Sequence, residues 1–112
     1  MNNIQRAKRN FRASKKWKEF RHRKNVEQGG KCYISHKKLY KAANLHHLDM
    51  TPEHYDDLSK PENYVYLNKK MHDTVHVLYP LYVIDRCVLD RLKEVLDKMI
   101  LLNDDKRDLE TD

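Results

Sequence analysis

Glycine, proline and cysteine are scarce in this chain, at two, three and two among 112 residues. So little glycine and proline excludes a collagen-like or Gly/Pro-rich polymer. Two cysteines, Cys32 and Cys87, cannot make a disulfide framework. No apolar run approaches the roughly 18 residues that span a bilayer, and none follows the basic N-terminus as a secretory signal requires. The expectation is a cytoplasmic chain whose thiols stay reduced. There is no internal repeat and no low-complexity segment.

Charge and histidine are abundant. Charged residues make up 36% of the chain against 39% apolar, and the mean hydropathy is −0.98. That balance fits one small core under a heavily charged surface. The charge is unevenly placed. Residues 1–24 hold ten Lys/Arg and one acid, a net +9, whereas the other 88 residues net −3. A cationic arm on a slightly acidic body points to a polyanionic partner, nucleic acid above all. No membrane partner is expected, because the arm has no continuous apolar face.

Residues 4–28 lack glycine and proline and read as helix. Ser14 is placed to cap a second piece carrying Trp17 and Phe20 on one face, and Gly29-Gly30 ends it. Residues 31–34 and 39–40 read as two short strands about a polar turn, and Leu45–Leu48 as another strand. Thr51-Pro52 signals a short helical turn. Tyr64–Leu67 is β-prone, with Tyr64 and Tyr66 read as sheet packing rather than base-stacking residues. Asn68 is placed to cap a helix over 69–79, which Pro80 interrupts. Leu81, Ile84, Val88, Leu92, Val95, Met99 and Leu102 then recur at three and four, predicting one long amphipathic helix with its stripe against the core. The expected class is α+β in a single domain. It comprises a basic helical arm (1–28), a core (31–79), a C-terminal helix (81–102) and a frayed acidic tail (103–112).

Four features carry chemistry: His46-His47, Asn63, His72 and His76. Neither the adjacent pair nor the His-x-x-x-His pair exceeds what seven histidines produce by chance. Their placement says more. His72 and His76 lie four apart on a helix, so both rings leave one face. A third imidazole from a nearby strand would complete a site for one divalent metal ion, Mg, Mn, Ni, Co or Zn. Neighbours in a strand point to opposite sides. One of His46 and His47 can therefore bind metal while the other meets substrate. His22, His36 and His54 read as surface residues.

Between Trp17 and Tyr79 these residues resemble the HNH nucleases of the ββα-metal (His-Me finger) class. Asn63 follows His47 by 16 residues and precedes His72 by nine. The His-His, Asn and His-x-x-x-His pattern is similar to that of colicin-type DNase domains. Trp17–Arg21 and the Gly-Gly-Lys-Cys stretch are closer to small phage-type members, which implies a bacterial or phage-infected cell as setting. The resemblance implies a metal-dependent DNA endonuclease that nicks one strand per site. It makes His47 the general base, gives the metal to His46, His72 and His76, and has Asn63 restrain the loop around His47. Arg21, Arg23, Lys69 and Lys70 become candidates for the scissile phosphate, and Arg12, Lys15, Lys16 and Lys18 for the flanking backbone. Each also reads simply as solvated charge. Many members bind a structural zinc through two Cys-x-x-Cys knuckles. Here the corresponding stretches are Cys32-Tyr33-Ile34-Ser35 and Asn68-Lys69-Lys70-Met71, so that zinc is not expected. The expected state is a monomer or weak homodimer. The alternative reading is a non-catalytic nucleic-acid-binding module with a structural metal. A protein-interaction adaptor leaves the His/Asn spacing unexplained.

Overall fold

The computed structural model describes residues 2–103. Among them the chain is α+β, with four α-helices and one two-stranded antiparallel sheet. It forms two compact units, one ending at His72 and one beginning at Asp73, so the division falls inside a continuous helix. The acidic tail expected from residue 103 lies almost wholly outside the described residues.

Helices α1 (Asn3–Arg12) and α2 (Lys15–Glu27) split the basic arm. Asn2 and Gln5 form a capping box on α1, and the Ser14 hydroxyl accepts the Trp17 N–H at 3.2 Å to start α2, as its position predicts. Gly29 and Gly30 end α2 with φ of 67° and 71°, a region open to glycine at no steric cost. Phe20, on the inner face of α2, is fully buried against Tyr64, their rings edge-to-face at 4.9 Å. Phe11, Trp17 and Tyr55 extend this aromatic cluster outward.

Strand β1 (Asn44–His47) pairs antiparallel with β2 (Tyr64–Leu67), and the register sets His46 opposite Val65 and His47 opposite Tyr64. Tyr64, Tyr66 and Leu67 are buried; burying such a side chain contributes about 1.5–3 kcal/mol. The Gln28 side chain acts as a further strand partner, accepting the Tyr66 N–H at 2.7 Å and donating to the Tyr66 carbonyl at 3.1 Å. Lys24, counted as part of the cationic arm, is buried; its Nζ donates to Glu27 and to the Pro61 carbonyl, both at 2.9 Å. It ties α2 to the loop before β2 and is not available to a polyanion.

Several expectations change. The two strands expected over 31–34 and 39–40 reduce to one bridge between Lys31 and Lys38, because the intervening turn bonds to itself. Thr51 precedes a 3-10 turn, Pro52–His54, without a capping side-chain bond. Asn68 precedes helix α3 (Lys69–Ile84), and its side chain accepts the Tyr40 N–H and donates to the Lys38 carbonyl. Pro80 lies inside α3, which runs on to Ile84. Proline removes one helical donor, yet it does not stop this helix. The break comes at Asp85, whose carboxylate accepts the Cys87 N–H at 3.0 Å and pairs with Arg91. Such an Asx turn competes with the helix ladder and launches α4 (Val88–Asn103). The single helix expected over 81–102 is therefore two pieces. No residue of α4 is buried, and Leu92, Val95, Met99 and Leu102 are exposed rather than packed in a core. No described helix is long and apolar enough to cross a membrane.

Candidate metal centre

His46 reaches the site from β1, and His72 and His76 reach it from the first two turns of α3. His46 is buried, His72 partly buried and His76 exposed. The rings of His46 and His72 meet edge-on, centroids 5.2 Å apart. One ring nitrogen from each of the three histidines lies within 4.8 Å of the others. Bonds of about 2.1 Å place two nitrogens on one ion at most about 4.2 Å apart, so a small ring rotation suffices for a shared ion. Three imidazoles graded from buried to exposed suit a divalent ion with open positions toward solvent. The donor set therefore fits a metal, and the structure brings together the three residues assigned to it.

His47 stands next to His46 on the other side of β1. Its ring stacks on Tyr64 with centroids 4.1 Å apart and planes 10° from parallel. Burial pushes its pKa below the ordinary imidazole value, against the pull of Asp49 and Asp57. Tyr64 is clamped in turn: it is fully buried, its hydroxyl donates to the Asp57 carbonyl at 3.0 Å, and burial raises its phenol to about 12. Asn63 acts on this region through its main chain. Its carbonyl accepts the Leu48 N–H at 2.7 Å, which pins the residue after His47.

Arg12, Lys15, Lys16, Lys18, Arg21, Arg23, Lys69 and Lys70 are all exposed. Arg21 Nε donates to the Tyr66 hydroxyl at 3.1 Å, the Arg23 guanidinium lies over Phe20 at 5.5 Å, and Lys15 pairs with Glu19 at 3.8 Å. Lys69 and Lys70 open α3, whose first turn carries no acid. His22, His36 and His54 are exposed.

Two features escaped the sequence reading. Tyr64 as the platform under His47 needed the β1–β2 register, which the isolated strands do not declare. The Asp49–His54 pair, at 2.7 Å, spans five residues across a 3-10 turn and has no motif. Compared with family models, with curated proteins and with solved structures, the chain matches none.

Proposed function

We propose that the chain is a metal-dependent DNA endonuclease, with β1, β2 and α3 as a ββα-metal core. The observation that carries this reading is the division of labour on β1. His46 joins a three-imidazole cluster, while the adjacent His47 is held apart from it by stacking on Tyr64. A purely structural metal site has no use for that fourth, oriented imidazole.

His46, His72 and His76 would hold the ion. A divalent metal, when bound, supplies charge neutralisation at the scissile phosphate and at the leaving oxygen. His47 takes a proton from the attacking water as the water oxygen bonds to phosphorus and the bond to the leaving oxygen breaks. A neutral imidazole near pH 7 suits that role, and burial keeps His47 in that form. Tyr64 fixes the ring plane, and the Asn63 carbonyl holds the strand end that presents it. Lys69 and Lys70 stand where the positive end of α3 favours a phosphate. The exposed cations of α1 and α2 bind the flanking backbone. One such site cuts one strand.

Plasmid nicking with and without EDTA tests the activity. Wild type is expected to relax supercoiled DNA only with a divalent ion, and His47→Ala to lose nicking while keeping its fold and metal content. Residual activity within about tenfold of wild type, a barrier change under roughly 1.4 kcal/mol, excludes His47 as base. Metal and DNA binding without any cleavage would leave the structural-metal module as the correct reading. Titration calorimetry is expected to rank Ni²⁺, Co²⁺ and Zn²⁺ above Mg²⁺, which prefers oxygen donors. Equal affinity in a His72→Ala/His76→Ala variant removes the metal assignment.

A further inference from the structure

Between Glu27 and Asp49 the chain has no acidic residue, and it carries Lys31, Lys37, Lys38 and Lys41. All four lysines are exposed. They surround a turn that is pinned on every side. Cys32 N–H donates to the Lys37 carbonyl at 2.8 Å, His36 N–H to the Cys32 carbonyl at 2.9 Å, and Leu39 N–H to the Gly30 carbonyl at 2.9 Å. Tyr33 N–H donates to the Tyr66 carbonyl of β2 at 3.0 Å. The Asn68 side chain closes the far end, accepting the Tyr40 N–H and donating to the Lys38 carbonyl, both at 2.9 Å. His36 completes the turn at φ 61°.

On this rigid turn Tyr33 is 61% exposed and Ile34 50% exposed. The backbone that carries them is already ordered, so using these side chains in recognition costs little further entropy. The combination of an exposed ring, an apolar neighbour and a lysine border differs from the α1–α2 face. Lysine and arginine alone contact phosphates, which position a protein on DNA without reading its bases. An aromatic face among cations is the chemistry of base stacking on nucleic acid. An intact duplex hides its base faces; a single strand or a bulge offers them.

We infer that the 31–41 turn is a second DNA-contact surface, on which Tyr33 stacks against an unstacked base while Ile34 packs beside it and the lysines hold flanking phosphates. The inference rests on the DNA-directed activity proposed above and gives it a substrate class: single-stranded or locally opened DNA.

Fluorescence anisotropy of the full chain tests it, in the metal-loaded His47→Ala background so that bound DNA stays uncut. The probes are a fluorescein-labelled single strand, a duplex with a one-base bulge, and a perfect duplex. Adding Tyr33→Ala/Ile34→Ala is expected to weaken the first two by about tenfold and the perfect duplex by less than about twofold. The slope of log K against log salt stays unchanged, because no phosphate contact is lost. Tyr33→Phe keeps the affinity. Lys38→Ser/Lys41→Ser lowers the slope by about one to two units on all probes. Circular dichroism checks that each variant folds. Equal loss on all three probes, or no loss on any, overturns the inference and leaves the nuclease reading standing. Failure of the starting protein to bind any probe overturns the nuclease reading itself.

Discussion

Two histidines beside the candidate site are pushed in opposite directions by different forces. Burial against Tyr64 lowers His47, whereas the hydrogen bond that His54 donates to the Asp49 carboxylate raises His54. Asp49 is held below the usual carboxylate range by that same bond and by the Thr51 N–H at 3.0 Å. A raised histidine stabilises the fold below its unfolded value of about 6.5 and loses that contribution as pH rises through its folded value. A lowered aspartate stabilises above about 3.9 and loses its contribution as pH falls through its folded value. The pair therefore supports the 49–54 turn most fully between about pH 4 and 6.5. His54 is exposed and Asp49 half-exposed, so solvent screens the pair and the effect is local. An NMR titration is expected to show the His54 midpoint above 6.5 and its return to about 6.5 in Asp49→Asn. An unmoved midpoint would exclude Asp49 as the cause. Tyr64 carries a larger consequence. Tyr64→Phe keeps the stack on His47 and loses only the bond to Asp57, at a cost of about 1 kcal/mol. Tyr64→Ala opens a cavity beside Phe20 and costs about 3–5 kcal/mol. Urea denaturation separates the two, and nicking should survive in the Phe variant.

At the scale of elements, caps and turn residues decide where the helices stop. Ser14→Ala removes the bond to the Trp17 N–H and is expected to cost about 1 kcal/mol. A Cβ on Gly29 would meet no heavy atom within 4 Å. The expected cost of Gly29→Ala, about 1–2 kcal/mol, is therefore purely that of a left-handed backbone. Equal stability of Gly29→Ala and wild type in urea would mean that the turn relaxes to another conformation. The α3–α4 junction follows the same logic. Asp85 reaches the Cys87 N–H two residues on and the Arg91 guanidinium six residues on, and that local bonding ends the helix where Pro80 does not.

Across the whole molecule, charge asymmetry is the dominant electrostatic feature. The net +9 of residues 1–24 falls largely on exposed side chains of α1 and α2, with Lys24 withdrawn into the interior. Each phosphate neutralised on duplex DNA contributes about 0.9 to the salt slope of binding. Arg6→Gln/Arg9→Gln/Arg12→Gln is expected to lower that slope by about one to three units. Substitution is a cleaner test than truncation, because Phe11 packs on Trp17 and Tyr55 and removing it would disturb the aromatic cluster. An unchanged slope would mean that α1 does not touch DNA.

Local signals in the sequence were enough for the α2 start at Ser14, its end at Gly29-Gly30, the two strands carrying His46-His47 and Tyr64–Leu67, and the one-face placement of His72 and His76. Those features depend on caps, φ preferences and the 3.6-residue period, all of which act within a few residues. The tertiary structure alone decided the rest. Strand register put Tyr64 under His47. A contact across 37 residues buried Lys24 against Pro61, and another across 28 made the Asn68 side chain the clasp of the 31–41 turn. The apolar stripe of 81–102 was legible as a period, but its exposure was not. Periodicity says which residues share a face, and only long-range packing says what, if anything, covers that face.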